Sequence, residues 1–212
     1  MHASSAIPPL RERSGEPSWR PLRQFTSDRL PAATRVWLTD DGSLTARLIS
    51  LNAGTFRVQR LYQGWEVPRL SERVLLDMPD RRLSMVREVV LTLAGTPVVF
   101  ARSVFPFDTL TGNLGHLRRL RNKSLGAILF RHPNMHRRPF ELALMPGNSR
   151  YIPAHLHQTR PAWGRRSRFD IEAKQLLVSE VFLDTFTPWR AVLPVHRSQR
   201  GRVSAAIVRP NQ

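Results

Sequence analysis

Two neighbouring apolar runs joined by a four-residue turn constrain the fold of this chain most strongly. The runs cover residues 83–93 and 98–105, and both are rich in β-branched and aromatic residues, which favour strands. The connecting residues Ala94-Gly95-Thr96-Pro97 have the composition of a tight turn. The pattern predicts a β-hairpin.

Each strand of this predicted hairpin carries one arginine within an apolar set. The period of two of a strand places Arg87 on one face with Leu83, Met85, Val89, Leu91 and Leu93. It places Arg102 on one face with Val98, Phe100 and Val104. A buried, unpaired guanidinium costs several kcal/mol, so each arginine needs an anionic partner, from the protein or from a ligand.

A second hairpin is predicted near the end of the chain, where residues 165–171 and 175–183 flank Glu172-Ala173-Lys174. Glu180 shares a face with Leu176, Val178 and Phe182, and the other face is also apolar, so Glu180 is expected to be buried. Two interpretations remain open. Glu180 could form an internal ion pair with Arg87, or both could line a cavity in which two arginines bind a small dianion.

The remaining pattern combines helices and strands. Ser43 is the predicted N-cap of a short helix that carries Leu44 and ends at Gly54, and residues 56–65 form a predicted strand. Residues 114–130 are predicted to be helical in parts.

Residues 131–160 are predicted to form a loop with one short apolar element at 140–145. Strands joined by hairpins, with helices between groups of strands, favour an α+β fold. The sequence thus predicts one domain whose largely antiparallel sheet of about six strands and covering helices enclose a ligand cavity.

The composition limits the chemistry. The chain has 212 residues, a formal charge of +17 and no cysteine, which excludes disulfides, thiolate metal sites and a cysteine nucleophile. The excess of arginine fits anion recognition and also an arginine-rich codon usage. His132 and His136 have the spacing of a metal pair, but Pro133 separates them and no third ligand is evident, so no metal is expected.

The ends of the chain differ from its centre. Residues 1–27 contain four prolines and predict a flexible N-terminal tail, and residues 191–212 carry four arginines without an acid and predict a basic, flexible C-terminal tail. The catalytic or binding domain is expected to cover residues 28–190. Without a long apolar run or an N-terminal leader pattern, the protein is expected to be cytoplasmic.

Several segments resemble one family. The runs LSMVREVVL at 83–91 and VFARSVFP at 99–106, with SLGAILF at 124–130 and the segments 163–168 and 177–183, are similar to the bacterial chorismate pyruvate-lyases, or 4-hydroxybenzoate synthases. The run SLTARL at 43–48 matches as well. The resemblance covers residues 28–189 in the same order along the chain.

The resemblance implies a cofactor-free, metal-free elimination that converts chorismate to 4-hydroxybenzoate and pyruvate for ubiquinone synthesis. It implies that Arg87 holds the ring carboxylate, Glu180 contacts the hydroxyl at the opposite end of the ring, and Arg102 holds the enolpyruvyl carboxylate. These three are the expected catalytic residues, and backbone amides of Leu44 and Leu125 complete the expected substrate contacts. Glu180 either removes the ring proton or orients the hydroxyl, and orientation is the favoured interpretation.

Two other functions compete with the lyase. The same fold could serve as a non-catalytic sensor of aromatic carboxylates, although no DNA-binding domain is evident. A nucleic-acid-binding module would need exposed aromatics among the arginines, so no nucleic acid is expected as a partner. The expected partner is chorismate, the expected state is a monomer, and the basic surface suggests a weak contact with anionic membranes.

Overall fold

The computed structural model describes residues 15–26 and 29–191. The predicted C-terminal tail, apart from Ala191, and the first 14 residues of the predicted N-terminal tail lie outside the described residues. The strands are β1 Arg20–Pro21, β2 Phe56–Glu66, β3 Ser84–Leu93, β4 Thr96–Pro106, β5 Met135–Arg137, β6 Glu141–Met145, β7 Ala162–Ile171 and β8 Lys174–Phe182. The α-helices are α1 Ala32–Leu38, α2 Leu44–Ser50, α3 Leu70–Leu75 and α4 Leu125–Leu129. Short 3₁₀ helices cover Leu22–Gln24, Phe107–Leu110, Gly112–Arg119, Ala154–Leu156 and Pro188–Arg190.

All eight strands belong to one open antiparallel sheet, which does not close into a barrel. Its order is β1-β6-β7-β8-β4-β3-β2, and β5 pairs with β7 off this path. The predicted α+β class with a largely antiparallel sheet is therefore confirmed. Six strands match predicted elements, and the two additional ones, β1 and β5, have only two and three residues.

The register of the first hairpin decides which side chains share a face. The turn at Ala94 and Gly95, with φ values of 48° and 83°, adopts the left-handed conformation that a two-residue hairpin turn requires. Arg87 pairs with Ser103, and Arg102 pairs with Glu88. Because paired residues point to the same side of an antiparallel ladder, Arg87 and Arg102 lie on opposite faces of the sheet.

The two faces are covered differently. Helices α2 and α4 pack on the face of Arg87, where Leu44 and Leu48 contact the apolar cluster of Val89 and Leu91. Leu125 and Leu129 of α4 belong to a neighbouring cluster on the same face. Helix α3 covers the opposite face. Leu76, which follows this helix, forms an apolar cluster with Val86, Val104 and Leu177 of the sheet.

The helices agree in part with the prediction. Ser43 is the N-cap of α2, since its hydroxyl accepts from the amide of Ala46, but the helix ends at Ser50, before the predicted stop at Gly54. A left-handed residue, Asn52 with φ 50°, follows this end. The segment predicted to be partly helical contains a 3₁₀ helix and α4, with left-handed Arg121 between them.

Residues 15–26 pack on the sheet, in contrast to the tail predicted for residues 1–27. Arg20 of β1 pairs with Leu142 at the sheet edge, and Trp19 makes an edge-on ring contact with Tyr151 at 5.7 Å. The carboxylate of Glu16 accepts from the first amides of α3. Proline is tolerated in an edge strand because it needs no ladder partner for its nitrogen, so a proline-rich composition did not imply a detached segment. No helix among the described residues is long and apolar enough to span a membrane.

Candidate active site

A cavity lies between the sheet and the N-terminal ends of α2 and α4. Its floor is formed by side chains of six strands and its cover by residues around Leu44 and Leu125. The apolar part of the lining comprises Val58, Val89, Leu91, Ala101, Leu129, Phe130, Phe169 and Val178. The charged side chains in the lining are Arg87, Arg137 and Glu180. This mixture of an apolar wall and a few convergent charges is typical of a small-molecule site.

Arg87 is a buried cation on the floor of the cavity. Its side chain is 2% exposed, and one terminal nitrogen donates to the carbonyl oxygens of Arg121 and Lys123 at 3.0 and 2.8 Å. Within residues 15–26 and 29–191, no carboxylate lies within ion-pair distance of Arg87, and its Nε has no hydrogen-bond partner. Burial and, secondarily, repulsion from Arg60 lower the pKa of Arg87 to about 10. The guanidinium stays cationic at neutral pH and can bind an anion that enters the cavity.

Glu180 is paired with arginines, but not with Arg87. Its side chain is 13% exposed, and its Oε2 accepts from the Nε of Arg165 at 2.6 Å. The same oxygen lies 3.8 Å from a terminal nitrogen of Arg137. The alternative of an internal Arg87–Glu180 ion pair is therefore wrong. Both side chains line the cavity independently, as the ligand-site interpretation expects.

Arg165 lies opposite Glu180 in the β7–β8 ladder and fixes the position of its carboxylate. It is fully buried, and its NH1 donates to the carbonyl oxygens of Trp37 and Asp40 at 2.6 and 2.9 Å. Asp40 in turn forms a two-point ion pair with Arg47 of α2. The carboxylate on the floor is thus connected to the segment that leads into the covering helix.

Arg137 on β5 is a cavity residue that the sequence did not reveal. Its Nε donates to the hydroxyl of Ser167 at 3.1 Å and its NH1 to the carbonyl of Gly42 at 3.3 Å, while its guanidinium lies 4.1 Å from the ring centre of Phe140. Burial, followed by repulsion from Arg165, lowers its pKa to about 9. A three-residue strand shows no readable period, so no sequence signal placed Arg137 on a face.

Arg102 does not line the cavity, which corrects the prediction that it lies with Arg87 at the substrate. It pairs with Glu72 and Glu88 at 2.8 Å each and with Glu66 at 3.1 Å, on the face covered by α3. Burial alone would lower the pKa of Arg102, but the hydrogen bonds and negative charge of Glu72 raise it above its ordinary value. Its anionic partners come from the protein, because Glu88 lies directly opposite it in the ladder.

Leu44 and Leu125 are the first residues of α2 and α4, and both line the cavity. Each helix begins with a serine N-cap, and the hydroxyl of Ser124 donates to that of Thr45 at 2.8 Å. This hydrogen bond joins the two helix starts above the cavity. Four of the five predicted substrate-binding residues therefore lie at one cavity, and Arg102 lies elsewhere.

An α+β domain with an open antiparallel sheet, and a cavity with two arginines and one glutamate on one face, defines a binding domain for a small anionic molecule. Solved structures of the same fold include the C-terminal domain of PhnF, 10% identical, which covers 68% of this chain and 92% of that chain with a TM-score of 0.50. PhnF from Mycobacterium smegmatis is 12% identical, and the match covers 68% of this chain and 64% of that chain with a TM-score of 0.50. At such low identity these likenesses show the fold alone.

The sequence comparisons are more specific. The family model described as chorismate lyase matches residues 16–192. A probable chorismate pyruvate-lyase 2 of Pseudomonas fluorescens strain Pf0-1 is 39% identical over 182 residues, which are 85% of this chain and 96% of that protein. A probable chorismate pyruvate-lyase of Pseudomonas aeruginosa strain UCBPP-PA14 is 43% identical over 147 residues, 69% of this chain and 81% of that protein. The chain belongs to the chorismate lyase family.

Proposed function

We propose that the protein is a chorismate pyruvate-lyase, which converts chorismate to 4-hydroxybenzoate and pyruvate without a cofactor. Family membership supports this activity. The observation that carries it is the unpaired, buried guanidinium of Arg87 at a cavity that also presents Arg137 and Glu180. Chorismate has two carboxylates and one hydroxyl, which match two cations and one acceptor.

The positions of the three charged groups suggest how the substrate lies. The ring carboxylate binds Arg87, at the end of the cavity where no protein carboxylate is present among the described residues. The ring hydroxyl donates to Glu180. In chorismate the enolpyruvyl group is attached to the carbon next to the one that carries this hydroxyl, and Arg137 lies 3.8 Å from Glu180. We therefore assign the enolpyruvyl carboxylate to Arg137 rather than to Arg102.

The reaction requires orientation more than strong acid or base catalysis. The bond between the ring carbon and the enolpyruvyl oxygen breaks, and the neighbouring hydroxyl-bearing carbon loses its proton, so the ring becomes aromatic. The proton passes to the methylene carbon of the leaving group, which becomes pyruvate. Two arginines that fix a dianion in one orientation, in a cavity with an apolar wall, favour this step. Glu180 orients the hydroxyl as an acceptor, since its carboxylate is held in place by Arg165 at 2.6 Å and lies 3.8 Å from Arg137.

Substrate entry requires movement of the cover. The cavity measures about 50 Å³, whereas an engineered cavity that binds benzene measures about 150 Å³. The starts of α2 and α4 must therefore separate to admit a substituted ring. The hydrogen bond between Ser124 and Thr45 is the polar contact that this separation breaks.

The direct test is incubation of the purified protein with chorismate in buffer that contains a chelator and no nucleotide. Chromatography should show equal amounts of 4-hydroxybenzoate and pyruvate, formed far faster than by spontaneous decay. The matched controls are Arg87→Met, which removes a cavity cation, and Arg118→Ala, which removes an exposed one. Product formation no faster than the spontaneous rate would refute the proposal.

We place this reaction in the cytoplasm, carried out by a monomer, with 4-hydroxybenzoate serving ubiquinone synthesis. The metabolic role follows from the family resemblance, and the compartment and the monomeric state are the expectations stated from the sequence. Analytical ultracentrifugation of the purified protein and cell fractionation test the state and the compartment. Restored ubiquinone content in a strain that lacks its own chorismate lyase tests the metabolic role.

A further inference from the structure

Three exposed apolar side chains form a continuous surface at one end of the sheet. Trp65, Leu83 and Phe107 are 45%, 50% and 48% exposed. The rings of Trp65 and Phe107 lie 5.7 Å apart. The pairing of Ser84 with Pro106 brings Leu83 next to Phe107. Single exposed apolar residues are normal, but a contiguous group with an indole ring indicates a contact surface. We call these three residues the Trp65 surface.

Cations surround the Trp65 surface. The guanidinium of Arg118 lies 6.0 Å from the ring centre of Trp65 and 5.6 Å from that of Phe107. The side chain of Gln63 on β2 donates to the carbonyl of Arg118, which holds this end of the 3₁₀ helix against the strand. The exposed cations in and next to this region are Arg60, Arg82, Arg118, Arg119, Arg121 and Lys123.

Among the described residues, the acidic groups near this region do not balance these cations, and the exposed Asp80 is paired with Arg73 at 2.7 Å. Asp108 is 81% exposed and lies 3.8 Å from Arg82. Glu66 is engaged with Arg102 on the other face of the sheet. The region therefore keeps an excess of positive charge around its apolar centre, and this combination complements a surface that is both apolar and anionic.

We propose that the Trp65 surface binds the surface of an anionic membrane. Trp65, Phe107 and Leu83 enter the headgroup region, where amphipathic indole rings are favoured, and the surrounding arginines contact lipid phosphates. The surface lies at the ends of three strands and projects side chains outward, which suits a lipid layer.

The Trp65 surface adjoins the cavity without forming part of it. The carbonyls of Arg121 and Lys123 that hold Arg87 belong to the segment 118–123, which carries four of the exposed cations. Membrane binding at this surface would place the cover of the cavity next to the lipid. The interaction itself needs no catalytic step, so it can be tested separately from the lyase activity.

The test is co-sedimentation of the full chain with vesicles that contain phosphatidylglycerol and phosphatidylcholine, compared with vesicles of phosphatidylcholine alone. Binding should occur only to the anionic vesicles and should weaken strongly as salt is raised. The double variant Trp65→Ser with Phe107→Ser should bind at least about ten-fold more weakly, and Arg118→Ala about five-fold more weakly.

Val74→Ser is the matched control, since Val74 is 73% exposed on α3, on the opposite face of the sheet. This variant should bind like the original protein. Thermal denaturation should show that all variants remain folded, because every substituted side chain is exposed. Equal binding to neutral vesicles, no binding at all, or undiminished binding by the double variant would overturn the proposal.

Discussion

Replacement of Arg87 by methionine separates the contribution of this residue to folding from its contribution to binding. The variant loses two hydrogen bonds from a charged donor to the carbonyls of Arg121 and Lys123, worth roughly 1.5–3 kcal/mol each. It also removes a buried charge that has no ionic partner among the described residues. Burial of such a charge costs several kcal/mol, so its removal stabilises the variant. Methionine fits beside Val89 and Leu91. Because the two effects oppose each other, the free energy of unfolding should change by less than about 2 kcal/mol.

Binding should change much more than stability. A substrate carboxylate that loses its buried cationic partner loses about 2–5 kcal/mol. At about 1.4 kcal/mol for each factor of ten, kcat/KM for chorismate should fall roughly 30- to 4,000-fold. The measurement combines steady-state formation of 4-hydroxybenzoate with urea denaturation. The exposed Arg118→Ala should stay near the original value in both assays.

One result would refute this reasoning directly. If Arg87→Met folds normally and keeps kcat/KM within about three-fold of the original protein, the cavity cation does not bind substrate. A large loss of stability with normal kinetics would show instead that Arg87 mainly holds the segment of Arg121 and Lys123. Either outcome would remove the main support for the proposed orientation of the substrate.

Three further predictions concern the other arginines and the ligand. Arg102→Met should destabilise the protein by about 3–5 kcal/mol in urea denaturation, because it leaves three carboxylates without their cation, and a raised KM with normal stability would contradict this. Arg137→Lys should raise KM for chorismate more than the inhibition constant of 4-hydroxybenzoate, since the product lacks the enolpyruvyl carboxylate; equal changes would place Arg137 at another group. Benzoate should raise the melting temperature of the original protein but not that of Arg87→Met, and an equal rise in both would show that the anion binds elsewhere.

The sequence predicted the hairpin strands well, because β3 and β4 are long runs rich in β-branched and aromatic residues on either side of a short turn. The pattern of alternating faces, however, did not predict the correct position of Arg102. Both faces of these central strands are apolar, so the pattern placed an arginine within an apolar set on each strand without showing which faces coincide. The register, with an irregularity between Leu91 and Thr92, determines that Arg102 lies opposite Glu88 in the ladder. Arg102 is therefore on the other face of the sheet from Arg87. A face pattern alone does not contain this information.

Arg137 was missed for a different reason. It lies in a three-residue strand inside a segment rich in proline and histidine, and its place is set by pairing with Phe169 on β7. Glu180 was found because its strand is long and apolar on both faces. Long strands can thus be read from sequence, whereas short strands that depend on distant partners become visible only in the folded chain.

The position of β1 has a consequence for the order in which the chain folds. The pairs β3–β4 and β7–β8 are hairpins of adjacent segments, but β1 pairs with β6, so Arg20 finds its partner at Leu142. During synthesis the segment 15–26 leaves the ribosome long before β6 does, because more than one hundred residues separate Arg20 from Leu142. Contacts of such large sequence separation form late, because a long loop must close before they can form. A segment that is made early should therefore be among the last to dock, and a nascent chain should expose the edge of β6 until it does.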